Sequence, residues 1–84
     1  MKVELLPQAA SDLDSIAEPI YGRVLKRLRA LERFPELGAP LAGGYAEYRS
    51  TIVSLFRIVY RLRPQHVIEI TYIRDCRRRP STNP

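Results

Sequence analysis

The sequence predicts an α+β domain: a small antiparallel sheet with two N-terminal helices packed on one face, in the order β-α-α-β-β-β. Three observations predict it. Apolar residues recur at helical spacing before residue 34 and alternate with polar ones after residue 47. Between the two regimes, residues 35–47 carry Pro35, Gly38, Pro40, Gly43 and Gly44, the composition of a crossing loop. The alternating runs that follow are joined by short turns, which makes neighbours antiparallel.

Residues 1–6 read as a half-buried strand, with Val3 and Leu5 alternating against Lys2, Glu4 and Leu6. Pro7 ends it and suits the first turn of a helix, where its missing N–H costs nothing. Ala9, Leu13, Ile16 and Ala17 continue that helix, and Asp12 and Asp14 are expected early in it, where negative charge suits the dipole. Pro19 starts a second helix. Its Ile20, Val24, Leu28 and Leu31 form one apolar stripe with Arg23, Arg27 and Glu32 largely off it, and Phe34-Pro35 ends it. Strands are then expected at Tyr48–Val53, Phe56–Leu62 and Val67–Ile73, with turns at Ser54 and at Pro64-Gln65-His66. Residues 1–79 make a single domain and 80–84 a flexible tail.

Charge is distributed unevenly along this frame. From residue 49 onward eight arginines face only Glu69 and Asp75, a formal +6, while residues 1–48 carry −1, giving the net +5. Twelve of the fourteen basic residues are arginine, so the charge persists at any physiological pH. A basic, rigid sheet suits a polyanion, phosphate above all, because guanidinium donates paired hydrogen bonds. The single cysteine, Cys76, excludes an internal disulfide and fits a reducing cytoplasm. No segment approaches a membrane span, so a soluble cytoplasmic protein is expected. No Cys/His/Asp/Glu cluster has metal-ligand spacing, and Gly43-Gly44 lacks the Lys-Ser/Thr of a phosphate loop, so neither a metal nor a cofactor is expected.

Alternation in the strand at 56–62 sends Phe56, Ile58, Tyr60 and Leu62 toward the helices and Arg57, Val59 and Arg61 to the uncovered face. Arg49, at the start of the neighbouring strand, is placed to join these arginines. Arg74, Arg77 and Arg78 arrive at the exit of the last strand. Alternation puts Tyr72 in the core beside Ile68 and Ile70. His66 reads as an incidental turn residue. A basic site of this kind suits phosphoryl transfer within RNA, where the 2′-OH is the nucleophile and the protein stabilises charge in the transition state.

The landmarks Ala9-Ala10-Ser11-Asp12-Leu13, Leu31-Glu32-Arg33-Phe34-Pro35, Pro40-Leu41-Ala42-Gly43, Tyr48-Arg49, Phe56-Arg57-Ile58-Val59-Tyr60 and Arg77-Arg78 appear in order. Over about residues 3–79 the chain thereby resembles the RelE/ParE superfamily of toxins from type II toxin–antitoxin pairs. The resemblance implies the same small sheet with two helices. In the RelE-like branch it implies a metal-independent endoribonuclease that cleaves mRNA in the ribosomal A site and so inhibits translation. In the ParE-like branch it implies a non-enzymatic inhibitor of DNA gyrase. Both branches imply a cognate antitoxin, and a degenerate toxin that only binds its antitoxin is a third possibility. The short gap from Asp12-Leu13 to Phe34-Pro35 is more similar to RelE-like members. The resemblance implies that Arg57 contacts the scissile phosphate, that Arg77 stabilises the transition state and that Arg49 is a basic site position. Arg61, Arg74 and Arg78 are expected to bind RNA. Where many RelE-like members have histidine and tyrosine after the last strand, this chain has Cys76 and Ser81.

Overall fold

A computed structural model describes residues 1–77. It contains β1 (Lys2–Leu5), α1 (Pro7–Asp14), α2 (Ile20–Arg33), β2 (Ala39–Pro40), a 3₁₀ turn (Gly43–Tyr45), β3 (Tyr48–Val53), β4 (Phe56–Arg63) and β5 (Val67–Asp75). The expected order is present, with the two-residue β2 added inside the crossing loop. The sheet runs β1-β5-β4-β3-β2. It is mixed rather than wholly antiparallel, because β1 pairs with β5 in parallel, Val3 beside Ile68 and Leu5 beside Ile70. A parallel neighbour needs a long crossover, and for this pair the connection is the rest of the domain.

The helices cover one face of the sheet. Ala9 and Leu13 of α1 and Val24, Leu28 and Leu31 of α2 are buried against Ile58, Tyr60, Ile68, Ile70 and Ile73. The apolar stripe read from α2 is therefore its core face, and its first turn is tied by the Glu18 carboxylate, which accepts from Gly22 N at 3.0 Å.

One register shift decides what the opposite face carries. Val59 pairs with Tyr72 but Tyr60 pairs with Ile70, so Thr71 is an extra residue on β5. Below this bulge Ile68 and Ile70 face the helices; beyond it Ile73 does, and Tyr72 and Arg74 turn to the open face. The placement of Tyr72 in the core is thereby corrected: uninterrupted alternation fails at Thr71. Asp12 is also corrected. It lies in the last turn of α1, where the dipole does not favour it, and serves β5 instead. Its Oδ2 accepts from Ile73 N at 2.9 Å, while Oδ1 accepts from Gln8 Nε2 at 2.8 Å. A backbone donor just past the bulge is thus satisfied from a helix side chain.

The loop after α2 is held from within the core. The fully buried Tyr60 hydroxyl donates to Pro35 O and accepts from Gly38 N, both at 2.8 Å. Gly38 has no room for a side chain, since a Cβ there would lie 2.6 Å from Ser50 O and 2.8 Å from the Tyr60 hydroxyl. Burial raises the Tyr60 pKa above the ordinary tyrosine value, against the lowering effect of the Gly38 hydrogen bond.

Two substitutions test this framework. Tyr60→Phe leaves Gly38 N buried without an acceptor and is expected to cost about 1–3 kcal/mol, read as a Tm drop of roughly 5–15 °C. The folded protein holds the Tyr60 proton more tightly than the unfolded chain does. Its contribution is therefore complete below pH about 10 and is lost as pH rises through the folded-state pKa. Urea titrations of Tyr60→Phe should lack that alkaline decline. Asp12→Ala should cost about 1–3 kcal/mol for the stranded Ile73 donor, with amide exchange accelerated first at Tyr72 and Ile73.

Candidate functional site

Directly opposed residues of antiparallel strands share a face, so pairing assigns every side chain on the open side of the sheet. Tyr48, Ser50 and Ile52 of β3 lie opposite Arg61, Val59 and Arg57 of β4. On the other flank, Glu69, Tyr72 and Arg74 of β5 lie opposite the same three residues. Arg57, Val59 and Arg61 thus occupy the uncovered face, as alternation predicts.

The arginines assigned to one site in the sequence occupy four different environments. Arg57 is exposed and has no hydrogen bond or ion pair among the described residues. Arg74 is directly across from it, exposed, with its Cζ 4.5 Å from the centre of the Tyr72 ring. Two guanidinium side chains are therefore cross-strand neighbours with no carboxylate bonded to either among the described residues, an arrangement of like charges that repel.

Arg61 is neutralised instead. Its Nε donates to Glu69 Oε1 at 2.9 Å, its Nη1 lies 3.6 Å from Glu47 Oε2, and its Cζ sits 5.3 Å from the Tyr48 ring centre. The hydrogen bond to Glu69 raises its pKa above the ordinary arginine value, only partly offset by desolvation. Glu47 and Glu69, isolated in the sequence, are joined through this guanidinium.

Arg77 is clamped at the exit of β5. Its Nε and Nη2 donate to Asp75 Oδ1 and Oδ2 at 3.1 and 2.8 Å, and its backbone N donates to Oδ1 at 2.9 Å. The side-chain hydrogen bond that Arg77 donates to Asp75, reinforced by the carboxylate's charge, raises the Arg77 pKa. The preceding Cys76 N donates to Leu55 O at 2.6 Å, tying this exit to the β3–β4 turn.

Arg49 does not join the open face. It is paired opposite Tyr60, so its side chain lies on the helix side. There its Nη1 donates to Gly38 O at 2.7 Å and Glu36 O at 3.4 Å, closing the loop that Tyr60 holds. Its geometry is that of a positioning residue. Arg78 lies outside the described residues. His66 is an exposed turn residue with φ 61°, as expected. Among the described residues no group of three His, Cys, Asp or Glu side chains is placed to hold a metal, and no helix is long and apolar enough to cross a membrane.

Two features escaped the sequence. Tyr72 enters the open face through the bulge, for which the change in isoleucine spacing from 68 and 70 to 73 was the available signal. A second basic patch, Arg23, Lys26 and Arg27 on α2, borders a cavity of about 360 Å³ with Ile52, Val53 and Ser54. Its i, i+3, i+4 spacing was visible, but not that Arg27 Nη1 would reach Thr51 Oγ1 and, at 3.2 Å, Ile52 O.

Comparison with known proteins places this geometry. A family model described as the ParE toxin of the type II toxin–antitoxin system parDE matches residues 3–80. No match is found among curated proteins. The toxin–antitoxin complex RelBE2 of Mycobacterium tuberculosis contains a chain of similar structure, with 25% identity and TM-score 0.79, covering 88% of this chain and 95% of that one. The isolated E. coli RelE toxin shares the fold at 15% identity and TM-score 0.79, covering 93% and 86%. A chain of the chromosomal ParDE system of P. aeruginosa does so at 19% identity and TM-score 0.73, covering 89% and 95%.

The four environments predict separable effects on polyanion binding. With a single-stranded oligonucleotide, Arg57→Ala and Arg74→Ala should each flatten the slope of log K against log salt by about 0.7. Arg49→Ala should leave that slope unchanged while lowering the Tm. Equal slopes for all three variants would remove the distinction between the two faces.

Proposed function

Because the chain belongs to the ParE toxin family of type II toxin–antitoxin systems, within the RelE/ParE superfamily, we propose that it is a toxin acting on RNA as a ribosome-dependent mRNA endoribonuclease. The observation that carries this reading is the opposed Arg57–Arg74 pair on the open face, unpaired with any carboxylate among the described residues. In the proposed reaction the 2′-hydroxyl gives its proton to solvent and its oxygen bonds to the adjacent phosphorus, as the bond to the 5′-oxygen of the next nucleotide breaks and that leaving oxygen takes a proton from water. Arg57, helped by Arg74, takes the phosphate oxygens and stabilises the added negative charge. Arg77 contributes from the exit of β5: Asp75 occupies its Nε and Nη2, leaving Nη1 to donate. Arginine does not shuttle protons, so catalysis rests on alignment and charge. Arg61, held by two carboxylates, contributes less, and Arg49 supports the fold.

The partner entailed by membership in a toxin–antitoxin pair is a cognate antitoxin. In the proposed reading its acidic segment neutralises the open face and blocks access to RNA. A second reading, inhibition of DNA gyrase, is favoured by the ParE description of the matching family and by Cys76 and Ser81 where RelE-like members carry histidine and tyrosine.

Cell-free translation with purified protein, followed by primer extension on the message, tests the proposal. Cuts are expected only on translating ribosomes, and Arg57→Ala should reduce them by about 100-fold or more. Intact message together with loss of gyrase supercoiling at micromolar protein would transfer the assignment to gyrase.

A further inference from the structure

We propose that the Tyr72–Arg74 stack is a platform for an unpaired nucleobase, set beside the phosphate position at Arg57. This rests on the RNA reading of the open face and adds to it a recognition element for the base.

The argument starts at Thr71. The extra residue turns both Tyr72 and Arg74 to the open face, and Asp12 secures the strand just beyond it through Ile73 N. Tyr72 is directly opposite Val59, which is only 2% exposed although it lies on the uncovered side. Side chains on this face therefore pack over an apolar floor and are not free in solvent. Arg74 places its Cζ 4.5 Å from the Tyr72 ring centre and is itself exposed, so the outer side of its guanidinium is open. A planar cation resting on an aromatic ring offers a second flat surface on which a base stacks. The site is also complete in register. Arg74 is directly across from Arg57, and such neighbours are about 5 Å apart at Cβ, which suits a phosphate and the base of the same or the adjoining nucleotide. A peptide partner supplies acidic groups for the arginines but nothing that requires the stacked ring.

The experiment compares the Kd of a short single-stranded RNA with that of an abasic ribose-phosphate oligomer of equal length, by fluorescence anisotropy at fixed salt. The wild-type protein should prefer the base-bearing oligomer by about tenfold or more. Tyr72→Phe should keep that preference. Tyr72→Leu, which still covers Val59 but has no π face, should abolish it. Arg57→Ala should weaken both oligomers alike and leave their ratio intact. Equal affinity of the wild-type protein for the two oligomers, or an unchanged preference in Tyr72→Leu, overturns the platform while the phosphate reading stands. Failure of the wild-type protein to bind either oligomer overturns both.

Discussion

The hydrogen bond from Ile73 N to the Asp12 carboxylate joins the first helix to the last strand at the point where the sheet changes its phase. A bulge on a strand with a free choice of register can slip, and a slip by one residue exchanges the two faces. Here Ile68 and Ile70 hold one side of the bulge in the core and Ile73 holds the other. Asp12 supplies the acceptor that the interrupted ladder no longer provides. The open-face placement of Tyr72 and Arg74 follows from this arrangement, and so does the approach of Arg74 to Arg57. A helix carboxylate on the covered side thus sets which side chains the opposite surface carries.

The arginines illustrate how little residue type says without a partner list. Four of them, Arg49, Arg57, Arg61 and Arg77, are identical in charge and lie in or just beyond strands of one sheet. Arg49 donates inward to loop carbonyls, Arg61 is held by carboxylates, Arg77 is clasped by Asp75, and Arg57 has no bonded partner among the described residues. The Arg77 guanidinium is exposed, and ion pairs at exposed positions contribute little to stability, so that pair matters chiefly for where it holds the guanidinium. Arg57 and Arg74 differ because, among the described residues, neither is bonded to a carboxylate that offsets their mutual repulsion.

Much of this was legible in the sequence. The apolar stripe of α2 and the alternation of β4 gave the covered face and placed Arg57 and Arg61 on the other. The misplacement of Arg49 was avoidable in principle: a two-residue turn after Val53 sets Val53 opposite Phe56 and, counting back, Arg49 opposite Tyr60. The bulge was harder, because no glycine marks it and only the altered isoleucine spacing betrays it. The loop lock was not readable at all. That Gly38 must be small follows from the approach of Ser50 and Tyr60 in space, and nothing in the local sequence encodes that approach.

The pairing of β1 with β5 has a consequence for how the molecule comes into being. Among the described strands β1 is synthesised well before β5 and docks beside it, and α1 waits for Ile73 to meet Asp12. A nascent chain lacking residues 67–75 has neither the strand that joins β1 to β4 nor the second half of the Arg57–Arg74 pair. Such long-range closure delays folding until β5 is available. Assembly of the proposed anion site is therefore coupled to synthesis of β5, and a product truncated before it carries Arg57 without the Arg74 that pairs across from it.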